Sequence, residues 1–288
     1  MADLSIFRVM VAELTARKPR ARVPEPCLVM DDAEQVQAYL DAGSARGSLA
    51  PLYLFNTALA TELIRPGDLV LDLACGPANQ LAQLAAVNPD ARFVGVDLSA
   101  EMLRRAAGVA AQHQLTNVEF HRADIARLQR FADESVDVVV STLSLHHLPD
   151  PAALASVFAE VRRILKPDGR VYISDLGCLR SERAIAEFAQ QYAAQQPEVF
   201  NLDYLNSLRA AFSVADFRHA IRPLAQRVRL YSTLLVPYML VVKSPSTAAL
   251  DDLRRERIGQ IEAAMPPHQR SDLRMLRFFF RMSGLSTA

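Results

Sequence analysis

The chain has 288 residues, 51% hydrophobic and 22% charged, enough to bury a substantial core in one large domain or a domain with appendages. Its 32 basic and 32 acidic side chains cancel to a formal net charge of +0, so no global field draws it to nucleic acid or an anionic membrane, and a small-molecule substrate fits better than a polyanion. Cys27, Cys75 and Cys178 are widely spaced and form no CxxC pair, which argues for a reducing compartment and against structural zinc. With no cleavable signal pattern and no apolar run of about 18 residues, a soluble, cytoplasmic protein is expected.

In chain order, the basic cluster Lys18-Pro19-Arg20-Ala21-Arg22 reads as a solvated linker. Helical patterns follow at Ala33 to Leu40 and Leu52 to Leu63, separated by the loop Asp41 to Gly47. From Leu69 onward strands and helices alternate, the pattern of a doubly wound α/β sheet. The run Val70-Leu71-Asp72-Leu73 leads into the small-residue loop Ala74-Cys75-Gly76-Pro77-Ala78-Asn79 and then the helical Gln80 to Ala85, which reads as strand, ligand loop, helix. A second apolar run ends at Asp97, and a third, strand-like, runs from Val118 to Asp124. In an open parallel sheet the carboxyl ends of strands face the ligand crevice, so three acids side by side there suit a cationic or hydroxyl-rich ligand. A dinucleotide fits poorly, because the loop positions that must be glycine-like for a pyrophosphate hold Ala74, Gly76 and Asn79.

Further along, Ser99 caps a helix carrying Met102 to Ala111, and Asp150-Pro151 opens another that ends at Lys166-Pro167-Asp168-Gly169. The next strand is Val171 to Asp175. A helical insertion from Ser181 to Leu208 carries Phe188, Tyr192, Phe200, Tyr204 and Leu205; its aromatics read first as core. Its departure from the sheet between the fifth and sixth strands makes it a roof for a substrate. Ser213 to Asp216 forms a capping box with Asp in place of Glu, ahead of strands Arg227 to Thr233 and Tyr238 to Val242. The tail beyond Ser244 is charged and helical, and its Leu253, Ile258, Ile261, Leu273, Met275, Leu276 and Phe278-Phe279-Phe280 need a partner surface. That surface is either the same domain or a second copy in a homodimer.

The acid-plus-small-residue loop Asp72-x-Ala74-x-Gly76-x-Ala78 is followed in order by Asp97-Leu98-Ser99, Asp124-Ile125, the segment Ser141 to Asp150, and Leu165 to Arg170. This ordered set, over about residues 60 to 178, resembles class I S-adenosylmethionine-dependent methyltransferases, in particular the small-molecule, type 11-like group. The resemblance implies a Rossmann-like seven-stranded sheet, mostly parallel with an antiparallel last strand. It places a helical lid at residues 1–60, the catalytic domain at 61–245 with its insertion at about 180–210, and a helical extension at 246–288. It also implies S-adenosyl-L-methionine as cofactor. Asp97 would accept the ribose hydroxyls, Leu98 and Met102 would cover the adenine, and Asp124 and Ile125 would bond its edge. Asp72 would sit near the ammonium, backbone groups of Ala74, Cys75 and Gly76 would line the amino-acid end, and Ser141 would complete the set. Tyr39, Tyr53 and Asn56 of the lid either touch the cofactor or pack in the core. Alanine at two positions where the family has glycine disfavours positive φ and puts cofactor affinity in doubt.

Methyl transfer from a sulfonium is an in-line displacement that requires no metal and no covalent intermediate; positioning and exclusion of water carry it. For a hydroxyl or a protonated amine a general base helps, and the His146-His147 pair after the fourth strand resembles the paired histidines of this group, with Asp175 as a second base or as the orienter of a histidine. Two alternatives stay open: an arsenite or thiol methyltransferase using Cys27 and Cys178 as soft ligands, and a catalytically silent cofactor-binding subunit that regulates a partner. A nucleic-acid methyltransferase is disfavoured by the balanced charge and by Ser141-Thr142-Leu143-Ser144 standing where a base-holding Asn-Pro-Pro-Tyr motif would be.

Overall fold

The computed structural model describes residues 2–16, 20–191, 193–246 and 249–286. Seven strands, β1 (Leu69–Leu73), β2 (Arg92–Asp97), β3 (Val118–Arg122), β4 (Val136–Thr142), β5 (Leu165–Leu176), β6 (Arg229–Ser232) and β7 (Met239–Lys243), form one sheet in the order β3-β2-β1-β4-β5-β7-β6. The pairs among β1 to β5 are parallel, and β7 runs antiparallel to both β5 and β6. This is the mixed seven-stranded sheet expected. Because β1 has β2 on one side and β4 on the other, the strand order reverses there, and the crevice opens at the carboxyl ends of β1 and β4.

Strand residues alternate between two buried layers, as a period of two requires. Val70, Phe93, Val138 and Tyr172 face one layer, and Leu71, Val94, Val139 and Ile173 face the other. The first layer is covered by α3 (Ala50–Thr61), α4 (Asn79–Val87) and α5 (Ala100–Gln112), the second by α6 (Pro151–Ile164) and α9 (Val214–Ala220). Each start follows its sequence: Ser99 accepts the Met102 amide, Asp150 accepts the Ala153 amide ahead of Pro151, and Ser213 with Asp216 makes both bonds of the capping box.

Several boundaries differ from the sequence reading. β3 stops at Arg122, because the Asp124 carboxylate accepts the Ala126 amide at 2.8 Å and turns the chain before the acid is reached. β5 begins at Leu165 instead of Val171, since Leu165 pairs with Val136 and the pairing then jumps to Arg170 opposite Val138, leaving Lys166–Gly169 as a bulge. β6 is shorter than expected at both ends, and β7 is shifted by one residue, starting at Met239 and ending at Lys243. The Thr233 hydroxyl donates to the Val236 carbonyl at 2.6 Å and accepts the Met239 amide, tying residue 233 into the turn.

The insertion forms α7 (Glu182–Gln190) and α8 (Glu198–Ala210); Tyr192 lies outside the described residues. The N-terminal part forms α1 (Ala2–Thr15) and α2 (Ala33–Ala42), the latter capped by Asp32. Between them the expectation of a solvated basic linker fails for its arginines. The Arg22 guanidinium donates to the carbonyls of Ala210 (2.6 Å), Pro149 (2.7 Å), His146 (2.9 Å) and Leu148 and lies 3.9 Å over the Phe212 ring, while Arg20 donates to Leu208 and Arg209. Bare carbonyls at the end of α8 and after β4 are the physical reason: a fork of donors satisfies several at once. Lys18 and Pro19 lie outside the described residues.

The tail forms α10 (Asp252–Ala264) and α11 (Pro267–Met282), which dock on their own chain: Phe280 is fully buried and stacks on Phe55 of α3 with ring centroids 5.1 Å apart, and Arg254 donates to Asn88 and Asp90. Ile258, Leu273 and Phe280 are therefore buried on their own chain without a second copy, while Leu253 and Phe278 stay exposed. No described helix is long and apolar enough to cross a membrane. Phe280→Ala, which removes a ring from a filled site, is expected to cost about 3–5 kcal/mol of unfolding free energy by denaturant titration; a loss of only a few tenths would show that the tail is not part of the core.

Candidate active site

A cavity of ≈ 310 Å³ lies over the carboxyl ends of β1, β2 and β4. Its floor at one end is the loop after β1, where Ala74, Gly76 and Ala78 all adopt positive φ, of 52°, 54° and 64°. Two alanines thus take the conformation that their sequence disfavours, each at a cost of about 1–2 kcal/mol, and the loop shape is kept. Gly95 of β2 is what lets the loop sit so low: a Cβ there would come within 2.8 Å of the Cys75 sulfur.

Of the residues singled out from sequence, Ala74, Gly76, Asp97, Leu98, Met102, Asp124, Ile125, His146 and His147 all line this cavity. The Asp97 carboxylate accepts the amides of Gly76 and Ser99, each at 2.9 Å, which aims it across the loop, and burial raises its pKa. Asp72, Cys75 and Ser141 do not reach the wall. Asp72 and Cys75 are buried behind it, and their burial, with neighbouring carboxylates, holds both well above their ordinary pKa. Ser141 is fully buried; its hydroxyl ties β4 to the Leu73 carbonyl (2.9 Å) and meets the hydroxyl of Ser144 (2.7 Å), which does line the cavity. Among the lid candidates, Tyr39 lines the cavity and Tyr53 stands behind it with the two hydroxyls 3.5 Å apart, but Asn56 is core, accepting from the Tyr172 hydroxyl at 2.8 Å.

At the far end, a short 3-10 helix (Leu145–His147) after β4 carries both histidines, their ring centroids 4.5 Å apart. Asp175, 1% exposed near the end of β5, does not touch the cavity: its Oδ1 lies 2.6 Å from His146 Nδ1, and Oδ2 accepts the His146 amide at 3.1 Å. A proton on Nδ1 facing the carboxylate leaves Nε2 as the free acceptor. Burial is the largest single influence on His146 and opposes its charge, yet the charge and hydrogen bond of Asp175, joined by Glu25, outweigh it and the pKa is raised. His147 has no such partner: burial and the neighbouring His146 push it down to about 3, and its Nδ1 is buried without a hydrogen bond.

Sequence reasoning missed the segment from Arg22 to Met30. Leu28, Val29 and Met30 line the cavity, and Glu25 reaches the histidines while accepting from Ser207 of α8 at 2.8 Å. The available signal was Arg22-x-Pro24-Glu25-Pro26, because proline before and after a residue keeps it extended and its side chain free to cross to another element. Phe200, Asp203, Tyr204 and Ser207 of α8 also line the cavity, and Phe200 is at the same time buried in a small core cluster. Burial, then Glu25, raises Asp203 to about 6. Glu25, His146 and His147 each offer a ligand-type atom within 4.8 Å of one another, the one such cluster among the described residues. The Arg22 charge beside His146 opposes a cation there.

Titration of the two rings separates their roles. His147, depressed, favours the folded state above about pH 6.5 and that stability is lost as pH falls toward 3; His146, raised, favours it below about 6.5 and that contribution is lost as pH rises through its folded value. Ring NMR signals are expected to show His147 neutral to near pH 3 and His146 titrating above 6.5; the reverse order would overturn the pairing with Asp175.

A family model described as a methyltransferase domain matches residues 64–223. Arsenite methyltransferase of Halobacterium salinarum is 39% identical over 118 residues, covering 41% of this chain and 29% of its own length. 27-O-demethylrifamycin SV methyltransferase of Amycolatopsis mediterranei is 34% identical over 138 residues, 48% of this chain and 49% of its own. The chain thus spans less than two thirds of either relative. Among solved structures, the plantazolicin methyltransferase BpumL in complex with SAH covers 95% of this chain and 92% of its own at a TM-score of 0.54 and 15% identity, a likeness of fold.

Proposed function

The chain belongs to the methyltransferase-domain family, and on that premise we propose that it transfers a methyl group from S-adenosylmethionine to an oxygen or nitrogen of a small-molecule acceptor, with His146 as proton acceptor. The observation that carries the proposal is the buried His146–Asp175 pair, whose free ring nitrogen faces the same cavity as Asp97. The donor set fits the cofactor. Asp97 and Asp124 offer carboxylates for hydroxyl and amino groups, Leu98, Met102 and Ile125 offer apolar wall for an adenine, and Ala74 and Gly76 bring small residues to the same wall. When bound, S-adenosylmethionine supplies an electrophilic methyl on a sulfonium.

The protein's own work is then to position, to dry and to move one proton. α8 and Leu28, Val29 and Met30 cover part of the cavity, so an acceptor held against them is shielded from water on that side. His146 takes the acceptor's proton at Nε2 as the nucleophile attacks, and Asp175, acting through His146 as a positioning residue, stabilises the imidazolium that forms. His147, neutral, contributes shape and a hydrogen-bonding nitrogen. Backbone bonds fix Asp97 without using up its oxygens, each of which has a further lone pair for the ribose. Asp72, Cys75 and Ser141 support the loop from behind. The division into lid, catalytic domain and helical extension belongs to the same proposal.

None of Cys27, Cys75 and Cys178 lines the cavity, so a soft ligand set for arsenite has no support in the site. Histidine-dependent turnover separates an enzyme from a silent regulatory subunit.

Two measurements test the proposal. By calorimetry the protein is expected to bind S-adenosylmethionine and not NAD, and Asp97→Ala to lose two charge-assisted hydrogen bonds, each of roughly 1.5–3 kcal/mol; unchanged affinity removes Asp97 from the site. Turnover is expected to fall as pH drops through the raised His146 value, above 6.5, and His146→Ala to lose roughly 10²- to 10⁴-fold in kcat with cofactor binding kept. Asp175→Asn is expected to shift the acid limb downward, a change that a merely structural role would not produce. Turnover of His146→Ala at the wild-type rate with the wild-type pH profile would leave positioning alone as the source of the rate.

A further inference from the structure

A second cavity of ≈ 180 Å³ lies on the other side of Leu52 and Tyr238, and both of these residues line the larger cavity as well. Its walls come mostly from apolar side chains of α1 (Met10), α7 (Phe188), the β6–β7 turn (Val236) and α11 (Met275, Leu276 and Phe279), with Ser48, Gln191, Thr233 and Asp272 among them and, of the described residues, no lysine or arginine. The partition is built, not incidental: Tyr238 stacks on Phe188 with centroids 4.1 Å apart and an interplanar angle of 14°, and its hydroxyl meets that of Tyr204 at 2.6 Å. Tyr204 in turn lines the acceptor end of the larger cavity beside Phe200 and Asp203. The turn that closes the second chamber carries Leu234 and Leu235, 37% and 54% exposed, so its outer rim is apolar too.

A half-open, mostly apolar recess of this size leaves hydrophobic side chains facing solvent unless something fills it. We propose that the acceptor is an amphiphile: its hydroxyl- or amine-bearing head sits at His146, and a hydrocarbon tail passes Leu52 and Tyr238 into this chamber. The proposal rests on the methyltransferase reading for the head, and on the shared walls for the tail. A chamber lined mostly by apolar side chains favours an unbranched or prenyl-like chain over an anionic one, because among the described residues no lysine or arginine lines it and the Asp272 carboxylate lies in its wall. The aromatic partition suits such a chain, since the faces of Tyr238 and Phe188 offer contact area without a hydrogen-bonding demand, the Tyr238 hydroxyl being already paired.

The test is a series of 4-alkylphenols from methyl to octyl, with binding measured by calorimetry in the presence and absence of S-adenosylhomocysteine. Affinity is expected to climb by up to about fourfold per methylene as the chain enters the chamber. Leu276→Trp, and independently Met275→Trp, fill the chamber and are expected to flatten that climb; thermal unfolding and S-adenosylhomocysteine affinity report whether each variant is folded. A flat series in the wild-type protein, or a climb unchanged in a folded variant, overturns the tail site. Failure of the wild-type protein to bind S-adenosylhomocysteine counts against the methyltransferase reading instead, and the slope measured without it still decides the tail site.

Discussion

A carboxylate taken out of water must have its oxygens satisfied on the spot, and at Asp175 that requirement organises the catalytic end of the molecule. One oxygen faces His146 Nδ1 and accepts the Leu176 amide at 2.6 Å, and the other accepts the His146 amide. A single side chain from β5 thus fixes the tautomer of the histidine, the orientation of its ring and the backbone of the loop that carries it. The His146 carbonyl is held from the opposite side by Arg22 at 2.9 Å. Residue 146 is therefore clamped at both its amide and its carbonyl, by groups 153 positions apart in sequence, and its imidazole has few ways to move except by exchanging the proton on Nε2.

The Arg22 clamp also explains why the N-terminal segment crosses the site. With four carbonyls and the Phe212 ring around it, the guanidinium pins the chain against the end of α8 and the loop after β4. Glu25 then reaches the histidines, and Leu28, Val29 and Met30 follow through bends to line the cavity. Burial lowers the Arg22 pKa without threatening its charge, because a guanidinium starts far above neutrality and its donors are matched to carbonyls. A lysine there has too few donors in too small a fan to do the same.

The sheet was legible because its strands are buried on both faces: Val70 to Leu73 and Phe93 to Val96 read as continuous apolar runs closed by acids, and helix starts were announced by Ser99, Asp150-Pro151 and Ser213 to Asp216. Local chemistry of that kind survives in a sequence. What did not survive was anything set by distant partners. The bulge in β5 depends on Val136 lying opposite Leu165, the roles of Arg20 and Arg22 depend on carbonyls of α8, and the retreat of Asp72 and Ser141 from the cavity depends on how deep the strands sit. Tyr39 and Asn56, both helical and both in the lid pattern, differ only in which way their helices face, so the sequence left them equivalent where the structure separates them.

The wall of the larger cavity carries Asp97, Asp124 and Asp203 and no lysine or arginine. Where burial withdraws them partly from water, carboxylates without a fixed cation either take up protons, as the raised pKa values of Asp97 and Asp203 indicate, or wait for a ligand that brings positive charge and hydroxyl donors. Under the proposed function the cofactor, with its sulfonium, ammonium and ribose diol, meets that need at the β1–β2 end. The acceptor end differs, with aromatic rings, a histidine that gives up or takes one proton, and acids that disfavour an anionic acceptor. Charge therefore orients the two reactants: the cationic one is drawn to the acids at the strand ends, and the neutral, apolar one is left the space under α8.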